Sequence, residues 1–447
     1  MVGQDVLDYY ASWLAYRRWF QRVPGVQACV LVDGQPRLSL ADGFADEPAG
    51  VPLTEGHLFR IASHSKTFTA VLMLRLAERG ELRLDDQLSA HLPELAGSEL
   101  AGVTLRELLG HGAGVIRDSE DGDFWQLARP YPDTGQLLEI AGLPSAAVQP
   151  RNDRFKYSNI GYGLLGLVIE RVTGASFADV VAKEITGPLG LTDTGPELNA
   201  DRASEYAAGH SALSYARQRT VIEHVDTRAL AAATGFYATA AELAAFFSAL
   251  LPGETALLGA DAGRQLRHRE WDIKAGESGY GLGLILNRIG DHDLFGHSGG
   301  YPGHITRTFA CRDRRLVVSV LTNAIDGPAE PLAATLFRLL DTAAAASHQP
   351  APAGSERFTG RFASLWAVQD VALLDGRLFL LNPAAASPTD DPVALELVDD
   401  STLRMVSGSG TGSIGEPLRY DFAPDGSIRS VRGGSGMTLR PFVQPAD

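Results

Sequence analysis

The chain has 447 residues, a length that suggests two or three domains. With 45% hydrophobic residues it can bury a full-sized core, which excludes a disordered chain or a disulfide-stapled miniprotein. The net charge is −15 and no basic tract occurs. This excludes a nucleic-acid or anionic-membrane partner, because such binding is driven by Lys and Arg neutralising phosphates.

The N-terminal MVGQDVLDYYASW lacks the charged start and apolar stretch of a secretory signal, so a cytoplasmic location is expected. No apolar run approaches the roughly 18 residues of a membrane-spanning helix. Residues 5–20 then read as an amphipathic helix, with Val6, Tyr9, Tyr10, Trp13 and Leu14 on one side. Two short strands follow, 26–32 and 37–40, joined across Asp33-Gly34. From about 63 to about 250 the pattern is mostly helical with long loops. Strand-like runs return over 280–322, and a helix follows at 329–343. Strands at both ends of a helical middle predict one antiparallel sheet with helices packed on it.

Residues 344–354, rich in Ala and Pro, read as a linker between a catalytic domain at 1–343 and a small all-β barrel or sandwich at 355–447. In the latter, Asp375-Gly376 and Asp425-Gly426 fall between apolar runs, as hairpins require. Cys29 and Cys311 each sit in an apolar strand-like run and read as buried thiols. His292, His297 and His304 have spacings that suit neither one helix face nor a zinc signature, so no metal site is expected, and no cofactor is implied.

Three short motifs carry chemistry. Ser63-His64-Ser65-Lys66 opens an apolar helix that runs to Arg79 and stops at Gly80. Positions three apart share a helix face. Ser63 lies in the first turn, where unpaired N–H groups and the helix dipole favour negative charge. A serine hydroxyl needs a neighbouring base, and a buried lysine can be one because burial favours its neutral amine; arginine cannot. The chain has only four lysines, Lys66, Lys156, Lys183 and Lys274, among 39 basic residues, which makes the pairing with Ser63 less open to chance. An N-capping serine with a solvated lysine is the bland alternative for an isolated S-x-x-K.

Tyr157-Ser158-Asn159 precedes a second apolar helix. Tyr157 could act as a general base if a lysine ammonium favoured its phenolate, and Asn159 could hold Lys66 and a substrate amide together. His297-Ser298-Gly299-Gly300 ends an apolar strand. Gly299 and Gly300 would let a substrate backbone lie against the strand edge, and the N–H groups of Gly300 and Ser63 would form an oxyanion hole.

In this order, S-x-x-K, Y-x-N and H-x-G resemble the serine β-lactamase-like, penicillin-binding superfamily, whose members include class C β-lactamases, D-stereospecific aminopeptidases and related esterases. The flanks FRIASHSKTFTA, LLGHGAGV, PLGLTDTG, TGFYATAAELAAFF and YGLGL fit too, so the likeness covers roughly 20–345. The resemblance implies an α/β sandwich with a helical insertion, followed by a lipocalin-like barrel. It implies that Ser63 is acylated, that Lys66 and Tyr157 move protons, that Asn159 orients Lys66 and substrate, and that His297 stands where β-lactamases carry a lysine. A neutral histidine there would hold a penicillin carboxylate less firmly, so the expectation is D-aminopeptidase-like or esterase activity on a small molecule or short peptide, with weak β-lactam turnover. The carboxylates Asp118, Glu120, Asp121 and Asp123 would favour an amine-bearing substrate at the cleft mouth. Two rival readings are a catalytically silent receptor on the same fold and an α/β-hydrolase elbow at Ser298, which would need a helix directly after it.

Overall fold

The computed structural model describes residues 2–408 and 413–445. Contacts divide the chain into two units, Val23–Glu330 on the one hand and Met1–Arg22 with Pro331–Asp447 on the other. The Ala/Pro segment 344–354 lies inside the second of these.

The first unit is built on a nine-stranded antiparallel sheet. Its strands run in the order Val51–Pro52, Gln35–Asp46, Gly25–Val32, Leu316–Thr322, His304–Cys311, His292–Tyr301, Ile285–Ile289, Ser278–Tyr280 and Trp271–Lys274. N-terminal and C-terminal strands therefore meet at the centre, where Val26 pairs Thr322 and Val32 pairs Leu316. Asp33-Gly34 makes the expected turn: both residues have positive φ, 51° and 71°, which is what a two-residue hairpin turn of the primed type demands. The strand after it is longer than expected, Gln35–Asp46 rather than 37–40.

The helix that begins beside Ser63 occupies the core. Ala62–His64 form a single 3₁₀ turn and Ser65–Glu78 the α-helix proper. Every residue from His64 to Leu74 is buried, as its apolar composition on all sides requires. Gly283, at φ 68°, lies so close to this helix that a Cβ would stand 2.7 Å from the Lys66 carbonyl oxygen. That contact explains the second glycine of YGLGL.

In the second unit, eight consecutive strands from Gly360–Ala363 to Thr438–Pro441 close into an all-antiparallel barrel. Asp375-Gly376 again has positive φ at both positions. Phe362, Val371, Leu378, Leu395, Leu403 and Leu418 belong to one buried cluster, as expected for eight strands, a number whose interior is just wide enough for side chains.

The first unit holds several buried histidines uncharged. Burial pushes His64 down to about 3 and His224 down to about 4, and lowers His111, His297 and His304 as well. In the unfolded chain these rings titrate near 6.5. Between about 6.5 and 3–4 the unfolded state therefore binds more protons, so stability falls as pH falls through that window and is unaffected by these groups above it. The melting temperature, followed by circular dichroism, should be level from pH 7 to 8 and drop steadily below pH 6.5. A flat curve down to pH 4.5 would contradict this burial.

Candidate active site

Ser63 enters the site on a strained backbone. Ala62, immediately before it, has φ 49°, a left-handed conformation that costs a non-glycine residue about 1–3 kcal/mol and persists only where the surroundings enforce it. They do so from two sides. The Ser65 hydroxyl donates to the Ala62 carbonyl at 2.5 Å, and strand His292–Tyr301 passes directly behind Ile61.

That passage explains Gly299. A Cβ on it would lie 2.2 Å from the Ile61 carbonyl oxygen and 2.3 Å from Thr306 Oγ1. The motif glycine is thus required by the protein's own packing. Gly300 has no such constraint: its Cβ would meet only Ile305 Cδ1 at 3.7 Å.

The strand register sets the direction of the Gly300 amide. Residues flanking a two-residue antiparallel turn exchange hydrogen bonds, and bonded and unbonded pairs alternate from there. The turns between Ile289 and His292 and between Tyr301 and His304 give the same parity. Residues 297, 299 and 301 bond to the neighbouring strand His304–Cys311. Residues 298 and 300 direct their N–H groups the other way, where the strand Ile285–Ile289 has already ended and the Ser63 turn packs. Ser63, His297, Ser298 and Gly300 line one cavity of about 390 Å³ together with Arg117, Asp118, Trp125, Tyr157, Asn159 and Ile285.

Within it, Lys66 Nζ lies 3.2 Å from Ser63 Oγ and 2.7 Å from both Asn159 Oδ1 and the Ala233 carbonyl. Lys66 is fully buried. Burial holds its ammonium well below the usual lysine range, although the Asp118 carboxylate pulls in the opposite direction. A neutral amine has two N–H groups and one lone pair. The two short contacts are to carbonyl oxygens, which can only accept. The lone pair is left facing the Ser63 hydroxyl.

Tyr157 donates to Ser63 Oγ at 2.8 Å. Burial raises its phenol above the ordinary value, outweighing the lowering effect of Ser63 and Arg117. Burial thus favours the neutral form of both groups, the amine of Lys66 and the protonated phenol of Tyr157. The segment His111–Arg117 holds this tyrosine in place. His111 Nδ1 accepts from the Ser158 N–H at 3.2 Å, its ring lies 4.4 Å from that of Tyr157, and the Arg117 carbonyl accepts from the Asn159 N–H at 2.7 Å. Ser158 caps the helix Asn159–Thr173, which aims Asn159 inward from its first residue.

His297 is buried, with Nε2 3.1 Å from the Tyr280 hydroxyl and Nδ1 2.7 Å from the Ser298 carbonyl. Burial, with His64 and Lys66 nearby, lowers it well below the usual histidine range, so it presents no cation. Ser298 sits inside a strand with no helix after it, the wrong setting for a hydrolase elbow.

The acidic run does not act as one field. Asp118 faces the cavity, but its Oδ1 accepts from Asn159 Nδ2 at 2.6 Å and from Trp125 Nε1 at 2.7 Å, and its Oδ2 lies 3.3 Å from Arg117 Nε. It braces Asn159, and through it Lys66. Glu120 and Asp121 line a different hollow. Sequence reasoning gave no role to Tyr280, His111 or the Ala233 carbonyl, and placed Arg117 and Trp125 only as ends of a segment bordering the site. His111 and Tyr280 carried a signal inside the quoted flanks LLGHGAGV and YGLGL.

With this geometry in view, the comparisons define the class. The family model described as beta-lactamase matches residues 13–342, and the chain belongs to that family. It is 28% identical over 300 residues to penicillin-binding protein 4* of Bacillus subtilis (strain 168), covering 63% of this chain and 64% of that protein; it thus spans less than two thirds of that relative. The crystal structure of SurE aligns over 98% of this chain and 100% of its own, with 27% identity and a TM-score of 0.63. That of SurE with D-Leu aligns over 98% and 99%, with 26% identity and a TM-score of 0.60. A D-stereospecific amidohydrolase from Streptomyces sp. aligns over 70% and 94%, with 25% identity and a TM-score of 0.61.

Asp118→Asn separates bracing from charge. Removing the carboxylate removes what raises the Lys66 pKa, so the neutral base should persist to lower pH. The acid limb of the pH–rate profile for Ser63 labelling by a fluorophosphonate should move down. The plateau should fall by roughly ten- to a hundredfold as Asn159 loosens. A limb that moves up would contradict this role for Asp118.

Proposed function

We propose that this protein is a serine hydrolase that cleaves amide or ester bonds through an acyl-enzyme on Ser63, with D-aminopeptidase-like or esterase activity and weak β-lactam turnover. The observation that carries this reading is the placement of Ser63 Oγ between a buried Lys66 amine at 3.2 Å and the Tyr157 phenol at 2.8 Å.

The steps follow from those positions. Lys66 Nζ takes the Ser63 proton as Oγ attacks the substrate carbonyl. Negative charge on the carbonyl oxygen is met by the N–H groups of Ser63 and Gly300. Tyr157 gives its proton to the departing nitrogen or oxygen and recovers one from Lys66. Water then attacks the ester, and the same groups run in reverse. Asn159 holds Lys66 in register throughout.

The substrate class rests on charge. A penicillin or cephalosporin carboxylate finds no cation at His297, which burial keeps neutral. A D-amino acid amide or ester does not need that cation. The likeness to a D-stereospecific amidohydrolase, and to SurE solved with D-Leu, supports acyl donors with a D-residue.

The test compares D-alanine p-nitroanilide, p-nitrophenyl esters and a chromogenic cephalosporin. Esters and the anilide should be hydrolysed and the cephalosporin barely. Lys66→Arg should be almost inactive although charge is kept, and Tyr157→Phe should fold normally yet lose about 10²–10⁴ in rate. Wild-type turnover in either variant removes that residue from the mechanism. Efficient cephalosporin hydrolysis overturns the substrate class.

A further inference from the structure

Two N–H groups can meet a developing oxyanion only if their separation is fixed before the reaction. Here the two come from different elements. The Ser63 N–H belongs to the turn Ala62–His64, just after strand Phe59–Arg60. The Gly300 N–H belongs to strand His292–Tyr301. Gly300 is the weak point of the pair. It is exposed, a Cβ on it would meet only Ile305 Cδ1 at 3.7 Å, and glycine has the freest backbone of any residue. On one side of it, Gly299 is held against the Ile61 carbonyl. On the other side the anchor is the side chain of Tyr301.

Tyr301 is buried. Its hydroxyl accepts from the Val225 N–H at 2.9 Å and donates to the Val225 carbonyl at 3.0 Å. Arg60 lies over the Tyr301 ring, with its guanidinium carbon 4.4 Å from the centroid, well inside the roughly 6 Å at which a cation and a ring attract. Arg60 is itself fully buried. Its Nη1 donates to the same Val225 carbonyl at 3.0 Å, and its Nη2 to Glu197 Oε1 at 2.8 Å. Glu197 also accepts from the N–H groups of Leu198 and Thr227, at 2.6 and 2.9 Å. A buried ion pair adds little net stability, so where it stands matters more than its strength. Arg60 stands three residues before Ser63, and Tyr301 one residue after Gly300.

We infer that Arg60 and Tyr301 are positioning residues for the oxyanion hole: stacked on each other and tied to the one Val225 peptide, they set the distance between the Ser63 and Gly300 N–H groups. The inference rests on the acyl-enzyme reading, which supplies the oxyanion. Neither Arg60 nor Tyr301 is among the described residues that line the Ser63 cavity, so both act through the backbone.

Tyr301→Phe keeps the ring and removes both bonds to Val225. It should lower kcat on p-nitrophenyl acetate by about ten- to a hundredfold, as a small misplacement of catalytic groups does, and leave KM within about twofold. Phenylboronic acid, which adds to Ser63 as a tetrahedral anion, should lose affinity by a similar factor. The acid limb of the pH–rate profile, set by Lys66, should stay where it is. Arg60→Lys keeps the charge opposite Glu197 and loses the flat guanidinium. It should give the same pattern, and the double variant should cost less than the product of the two single losses, because both act through one contact. If Tyr301→Phe does not fold, Arg60→Lys carries the same readings. A lowered melting temperature with kcat and boronate affinity unchanged makes the pair plain core packing and overturns the inference. A loss confined to KM overturns it too, as does a shifted acid limb with boronate affinity kept. A parent that neither hydrolyses the ester nor is labelled at Ser63 by a fluorophosphonate sinks the acyl-enzyme reading and the clamp with it. A competent parent with insensitive Tyr301→Phe and Arg60→Lys variants sinks the clamp alone.

Discussion

An amine taken wholly out of water, with two carbonyl oxygens for its two N–H groups and a serine hydroxyl opposite its lone pair, is the arrangement on which the rest of this site depends. Burial favours the neutral amine of Lys66, and water would favour its ammonium form. The burial that prevents this comes from the core helix Ser65–Glu78, from the turn that supplies the Ala233 carbonyl and from the first residue of the helix Asn159–Thr173. The opposing influence is the Asp118 carboxylate, kept near Lys66 by its bonds to Asn159 and Trp125. One group desolvates the base, and the other keeps it from becoming too weak.

The same core helix fixes Ser63. Ser63 could be displaced by relaxation of Ala62 into an ordinary conformation, but Ile61 is pressed against strand His292–Tyr301 at Gly299, and Ser65 holds the Ala62 carbonyl. The strand that blocks this relaxation also presents the Gly300 N–H, because its hairpin parity gives alternate residues to the sheet and to the cleft. Strain beside Ser63 and the direction of the Gly300 N–H thus both trace to this one strand.

How much of this was legible depended on the range of the interaction. S-x-x-K could be read because both residues share one turn and lysine is scarce here. The turns at Asp33-Gly34 and Asp375-Gly376 were read from two residues each, and the barrel and sheet from strand periodicity. The ionisation state of Tyr157 was not readable. It is set by burial against His111 and Tyr280, which reach it from segments far away in sequence. The packing reason for Gly299 was not readable, because nothing local shows that Ile61 lies behind it. Asp118 was read as part of a charge run because its partner Asn159 lies 41 residues on, and no spacing rule links them. In each case the missed term is a long-range contact between elements that were themselves correctly found.

The central claim is that burial depresses the Lys66 ammonium well below the ordinary lysine range. The chain's four lysines make this directly measurable by NMR, with ¹⁵N incorporated at the lysine side-chain nitrogens and one signal assigned through Lys66→Arg. Three signals should titrate near the ordinary lysine value of about 10.4, while the Lys66 signal should titrate well below the others. Four signals titrating together near 10 would contradict the account at its base.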